Sequence, residues 1–175
     1  PIAPSLVMTY WNPIEKYGVE KFLDDLKSNG GSGAITPDLT IEESERWIAA
    51  STQSDTNRIY VVAPSTSPER LRSVTAATSG FIYAASLMGV TGTRTSISSN
   101  AEALVARLRQ VTELPIAVGL GVSTPEQAQE VAQYADGVIV GSAFIRLLQE
   151  SQSLEEGIDR VRELAQNLSK GLQRL

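Results

Sequence analysis

The chain contains neither cysteine nor histidine. Without cysteine there is no disulfide, no thiolate nucleophile and no thiolate metal site, and cysteine usage says nothing about redox compartment. Without histidine, Ser-His-Asp triads, imidazole bases and the usual zinc sites are excluded. Acid–base chemistry must then come from carboxylates, tyrosines, lysines or a cofactor. Long apolar runs are also missing. Nothing approaches the ~20 apolar residues needed to span a bilayer, and the first residues lack a basic-then-apolar signal pattern. A cytoplasmic address is the default expectation. Positive charge is in deficit: a formal net charge of −5 argues against nucleic acid or an anionic membrane as the main partner. GxGxxG, Walker and metal-ligand motifs are absent.

What is present suits a single domain over residues 1–175. The length supports a sizeable core, and 42% hydrophobic with 20% charged residues is ordinary for a globular protein. The strongest organisation lies between Leu114 and Leu148. Two short apolar runs, Ile116–Val118 and Val138–Val140, flank one helical pattern, and each run ends in glycine: Gly119-Leu120-Gly121 and Gly141-Ser142. Strand, turn, helix and strand in that order make a βαβ unit with a parallel pair. Glycines after a strand and before a helix let backbone N–H groups approach an anion at the helix N-terminus. They also serve as plain tight βα turns, and both readings remain open at this point. In (β/α)8 barrels the loops after strands seven and eight commonly build a phosphate site, and this pair has that form.

The rest of the chain keeps the same rhythm. Pro4–Tyr10 is a β-rich run followed by an Asn12-Pro13 turn. A helix from Gly18 carries Val19, Phe22, Leu23 and Leu26 on one face, and Asn29-Gly30-Gly31 stops it. Residues Gly33–Thr36 form a second strand. Thr40 with Glu43 reads as a capping box for a helix over Ile41–Ser51. Arg58–Ala63 is a third strand, Ser67-Pro68-Glu69 starts the next helix, and Gly80–Ala85 is a fourth strand. Ser86–Asn100, rich in hydroxyls and glycine, has no helical period and is expected to be a lid loop. Helices follow over Ala101–Val111 and from Leu154 to about Leu172. Six consecutive βα units imply a parallel α/β sheet with helices outside. Eight close a TIM barrel; six do not, so two further units are expected in front of Pro1. An open six-strand sheet leaves two exposed edges, and self-association or poor solubility is expected of it.

Catalytic residues of barrels sit at the C-terminal ends of strands. Those positions offer Tyr10, Asp38, Ser65, Tyr83 or Ser86, Gly121 and Gly141-Ser142. Asp38 is the only carboxylate among them, either a functional acid or a loop Asp bonded to nearby backbone. Tyr10 and Tyr83 line a pocket or fill the barrel core. Asp136 precedes its strand, faces the opposite end, and reads as turn chemistry. Glu42, Glu43 and Glu45 belong to a solvated helix face.

Several motifs together carry a resemblance. MTYWNP (Met8–Pro13), ITPDL (Ile35–Leu39) with EES (Glu42–Ser44), VAPS (Val62–Ser65), GFIYAAS (Gly80–Ser86), MGVTGTR (Met88–Arg94), VGLGVS (Val118–Ser123) and ADGVIVGSA (Ala135–Ala143) resemble the tryptophan synthase alpha subunit, nearly end to end and in order. The resemblance implies a (β/α)8 barrel lyase of tryptophan biosynthesis. Such a lyase cleaves indole-3-glycerol phosphate by retro-aldol chemistry to indole and glyceraldehyde 3-phosphate. It implies a beta subunit partner in an αββα heterotetramer, with pyridoxal phosphate only in that partner and no cofactor in this chain. Carried over by motif, Gly92, Gly121, Gly141 and Ser142 hold the substrate phosphate. Gly89–Arg94 lie in a mobile lid, with Thr91 meeting the acidic site on closure. Tyr83 sits beside the catalytic acid, Tyr10 and Leu120 line the indole end, and the Asp38 region faces the beta subunit. The family's essential Glu and Asp lie on its second strand and the following loop. The resemblance places these outside the chain, which corresponds to strands three to eight. A non-catalytic phosphate-binding or beta-docking fragment is the alternative. A third reading is another phosphate-binding barrel, such as the related isomerases of histidine and tryptophan synthesis.

Overall fold

The computed structural model describes residues 3–85, 94–119 and 121–172. The architecture is α/β with parallel strands, as the alternation predicts. It divides into two compact units, one of Pro1–Tyr83 with Arg107–Pro115 and one of Ala84–Ala106 with Ile116–Leu175.

In the first unit, β1 (Ser5–Met8), β2 (Gly31–Ile35) and β3 (Asn57–Ile59) form a parallel sheet in that order. Between β1 and β2 lie α1 (Trp11–Tyr17) and α2 (Val19–Ser28), joined at Gly18, whose φ of +98° needs glycine. The Asn12-Pro13 turn expected from sequence is thus the first turn of a helix. Proline is tolerated there because first-turn N–H groups lack intrahelical partners. The expected third strand is interrupted: β4 (Val61–Val62) lies outside the three-stranded sheet, with Tyr60 at the break. Trp47, fully buried, anchors the core with Trp11 edge-on at 5.7 Å and Phe22 at 6.3 Å.

The Thr40–Glu43 signal resolves differently from a capping box. Residues Ile41–Glu43 make one 3-10 turn, and α3 starts only at Glu45 (Glu45–Gln53). Thr40 Oγ1 donates to Glu43 Oε2 at 2.9 Å instead of capping backbone. Ser44 Oγ donates back to the Thr40 and Ile41 carbonyls at 2.8 and 2.9 Å, ending the turn before α3 begins. Ser67 caps α4 (Pro68–Ala77) as the sequence predicts, accepting from Arg70 N–H. Glu42 pairs with Arg70 at 2.7 Å and Glu20 with Arg46 at 2.5 Å on the solvated surface. Arg107 reaches back to the Pro64 and Thr66 carbonyls.

Strand β5 (Ile82–Ala85) has one fully buried face, Ile82 and Ala84, and one partly open face that carries Tyr83. Helix α5 runs Arg94–Arg109, so residues 94–100, expected to belong to a loop, are helical. The remainder of that loop falls outside the described residues.

In the second unit, β6 (Ile116–Gly119) and β7 (Gly137–Ile139) are a parallel pair linked by α6 (Pro125–Ala132). Helices α7 (Ser142–Glu150) and α8 (Leu154–Gly171) follow. Gly157 permits their close packing, since a Cβ there would stand 3.0 Å from Leu148. Leu104, Ile116, Val118, Val131 and Leu168 make the core of this unit.

Candidate functional site

The residues singled out from sequence distribute over both units. Thr91, Gly92 and Leu120 lie outside the described residues.

In the second unit, the register of β6 and β7 aligns the two glycine turns. Gly119 pairs with Ile139, and Gly121 and Gly141 each follow two residues later. The turns therefore leave adjacent parallel strands at the same level, and both glycines are exposed. Gly121 has φ +70°, a conformation that side-chain-bearing residues rarely adopt. Gly141 is the N-cap of α7 and has no side-chain cap hydrogen bond. A Cβ at Gly141 would meet no described residue within 4 Å. Ser142 is exposed too, whereas Ala143 is buried and the Phe144 N–H donates to the Gly141 carbonyl at 3.0 Å, so the open end of α7 offers the Ser142 N–H and hydroxyl. Such a helix end favours negative charge through its unpaired donors and dipole.

The α6 end behaves differently from the sequence expectation. Thr124 and Gln127 form a capping box. Gln127 Oε1 accepts from the N–H groups of Ser123 and Thr124 at 2.8 and 3.2 Å, and Thr124 Oγ1 accepts from Gln127 N–H at 3.3 Å. Three donors close to Gly121 are consumed by the helix itself. The α6 N-terminus is therefore self-satisfied, and an anion in this unit relies on α7 and the Gly121 turn. The signal for this lies in the Thr124-x-x-Gln127 spacing.

In the first unit, Asp38 accepts from Trp11 N–H through both carboxylate oxygens, at 2.9 and 3.1 Å. Tyr10, the N-cap of α1, makes no side-chain cap, and Asp38 supplies that function from 27 residues away. This supports the backbone-bonding reading of Asp38. Tyr10 is 67% exposed, so it does not fill a core. Tyr83 is half-buried on the open face of β5, and burial pushes its hydroxyl above the ordinary tyrosine range. At neutral pH it stays protonated and able to donate a hydrogen bond. Ser65 lies in the turn after β4, where the Ala63 N–H is bonded by Thr66 Oγ1 at 3.0 Å. Among the described residues no group of three or more acidic residues is placed to hold a metal ion.

Parallel strands alternating with helices, with level glycine turns after β6 and β7, define an α/β chain of the TIM-barrel class. Comparison with known proteins specifies it further. Residues 1–173 match the family described as Tryptophan synthase alpha chain, and the chain belongs to that family. The tryptophan synthase alpha chain of Streptomyces avermitilis is 53% identical over 169 residues, which is 97% of this chain and 61% of that relative. That of Thermobifida fusca is also 53% identical, covering 97% of this chain and 64% of the relative. Among solved structures, a Mycobacterium tuberculosis tryptophan synthase superposes with a TM-score of 0.87 at 47% identity, covering 99% of this chain and 64% of that one. A Pyrococcus furiosus tryptophan synthase alpha subunit gives 0.85 at 29% identity, covering 97% and 68%. The chain spans about six-tenths of the length of the curated relatives it matches.

Proposed function

We propose that this chain carries the phosphate-binding part of an alpha-type carbon–carbon lyase. The reaction is retro-aldol cleavage of indole-3-glycerol phosphate to indole and glyceraldehyde 3-phosphate, with a tryptophan synthase beta subunit as partner. The observation that carries the reading is the uncapped N-terminus of α7, exposed level with Gly121 on the neighbouring strand. The Ser142 N–H and hydroxyl at the start of α7 donate to the phosphate, with Gly121 allowing its backbone to come close. Neither glycine turn contains lysine or arginine, so backbone donors and the helix dipole supply the attraction. In the reaction a glutamate moves protons to the indole ring carbon and from the glycerol hydroxyl, while an aspartate pairs with the ring N–H. By family resemblance both carboxylates lie outside this chain. The reaction draws on no cofactor in the chain, pyridoxal phosphate being the beta partner's.

Titration calorimetry with indolepropanol phosphate or glycerol phosphate tests the site. Ser142→Ala is expected to cost about 0.5–1.5 kcal/mol of binding, and Gly141→Ala, which meets no described residue, to weaken it by placing a methyl group among the donors. Equal affinity in the parent and Gly141→Ala proteins would sink the assignment.

One observation favours a second reading for the isolated chain. Asp38, the only carboxylate at a strand end, is engaged by Trp11 N–H, which leaves it a capping group. The 175 residues alone then act as a binding module. Indole release from indole-3-glycerol phosphate by this chain alone would overturn that reading.

A further inference from the structure

The chain has five asparagines, and only Asn29 is followed by glycine. That pair is the asparagine setting most open to spontaneous ring closure, because Gly30 presents no side chain to obstruct its own backbone nitrogen. In the reaction hydroxide removes the Gly30 amide proton and the nitrogen attacks Asn29 Cγ. The N–Cγ bond forms, the Cγ–Nδ2 bond breaks and ammonia leaves, giving a cyclic succinimide. Water then opens the ring at either carbonyl, to aspartate or to isoaspartate, whose backbone runs through the former side-chain carbon. Asn29 and Gly30 are both exposed, so water and hydroxide reach the pair.

The end of α2 nevertheless engages both reacting groups. Asn29 Nδ2, the leaving amide, donates to the Asp25 carbonyl at 2.7 Å, and the Asn29 N–H donates to the same oxygen at 3.1 Å. The carboxamide is thereby turned back along α2, away from Gly30. The Gly30 N–H, which carries the attacking nitrogen, donates to the Lys27 carbonyl at 3.0 Å, so removing its proton costs a hydrogen bond. The chain is also pinned on both sides of the pair. Lys27 Nζ donates to the Ser54 carbonyl at 2.5 Å. Gly31, the first residue of β2, lies so close to α2 that a Cβ there would stand 2.4 Å from Leu26 Cδ1 and 2.9 Å from the Leu26 carbonyl oxygen.

We propose that Asn29 is a fold-gated modification site, closed to succinimide formation while the last turn of α2 is intact and converted when that turn opens. Conversion to isoaspartate lengthens the backbone by one methylene directly ahead of Gly31, where the Leu26 contact leaves no room for it. A converted chain therefore does not rebuild the α2–β2 junction, and opening of this turn becomes irreversible.

Peptide mapping by mass spectrometry reads conversion at Asn29 in the folded chain and in concentrated guanidinium chloride, at one pH and temperature. The unfolded chain should convert at least tenfold faster than the folded one and yield both aspartate and isoaspartate. Asn167, followed by leucine, is the internal reference and should change little in either state. Lys27→Ala, which frees α2 from the Ser54 carbonyl, should raise the folded-state rate at Asn29, with circular dichroism melting to confirm that the variant is folded. Parent chain aged in denaturant and returned to buffer should refold in lower yield than Asn29→Gln aged alongside. Equal rates in the folded and unfolded parent, no conversion in denaturant, a Lys27→Ala rate no higher than the parent's, or equal refolding yields each overturns the inference.

Discussion

Ile116 and Asp136 are bonded to each other twice. Ile116 N–H donates to Asp136 Oδ2 at 2.8 Å, and Asp136 N–H donates to the Ile116 carbonyl at 2.9 Å. The pair joins the start of β6 to the residue before β7. It therefore sets the register that brings Gly121 and Gly141 out level at the far end of the strands. The sequence reading of Asp136 as turn chemistry understates it, since its carboxylate acts across strands.

Removing that carboxylate should affect both stability and the distant turns. Asp136→Ala leaves the N–H of a fully buried residue without its side-chain acceptor and is expected to cost about 1–3 kcal/mol. Asp136→Asn retains an acceptor oxygen and should cost less. Urea denaturation checks the order, and identical midpoints for parent and Ala variant would exclude the role.

Asp38 holds α1 in place through Trp11. Asp38→Ala should destabilise by about 0.5–2 kcal/mol, the usual range for a lost N-terminal cap. Hydrogen exchange should locate the loss in Trp11–Tyr17, whereas an effect spread over β2 and β3 would contradict capping.

Gly33 lies against β3 too closely for any side chain. A Cβ there would stand 2.2 Å from the Asn57 carbonyl oxygen, which is backbone and cannot swing aside. Gly33→Ala is expected to cost at least the ~3 kcal/mol at the upper end for overpacked sites. Gly30→Ala, where a Cβ meets nothing within 4 Å but φ is +83°, should cost only about 1 kcal/mol. Thermal melts of the two variants in that order support the contact, and the reverse order refutes it.

Tyr60 is 2% exposed, and among the described residues its hydroxyl has no hydrogen-bond partner. Burial raises its pKa above 10.0, with Ser44 and Arg58 opposing the shift. Ser44 nonetheless makes no bond of good geometry to it, its own proton being directed to the Thr40 and Ile41 carbonyls. Tyr60→Phe removes an unsatisfied polar group and should leave stability unchanged or raise it by up to about 2 kcal/mol. The pH dependence follows from the direction of the shift. Above about pH 10 the unfolded chain loses the tyrosine proton while the folded chain keeps it, so stability falls with rising pH from that point. Tyr60→Phe should flatten that alkaline fall, and an equally steep fall in the variant would show that Tyr60 does not drive it.

Much of this molecule is written in short-range signals. Alternating apolar runs and helical periods specified six strand regions and most helices. Ser67 before Pro68 placed the start of α4, and Thr124 with Gln127 encoded the α6 cap, because such interactions span three or four residues and depend little on the rest of the fold. Glycine after each of the last two strands marked the candidate anion turns for the same reason. The tertiary structure decided what depends on residues far apart in sequence. Trp11–Tyr17 became helical with Asp38, 27 residues away, holding its first N–H, and Tyr60 broke a continuous apolar run where β3 ended and β4 began. Ser44 diverted a capping-box sequence into a 3-10 turn by bonding back to Thr40 and Ile41. Only the β6–β7 register showed that the two turns lie level, and only the fold showed that α6 had spent its donors on its own cap. Local propensity names the groups available, and packing determines which of them remain unpaired.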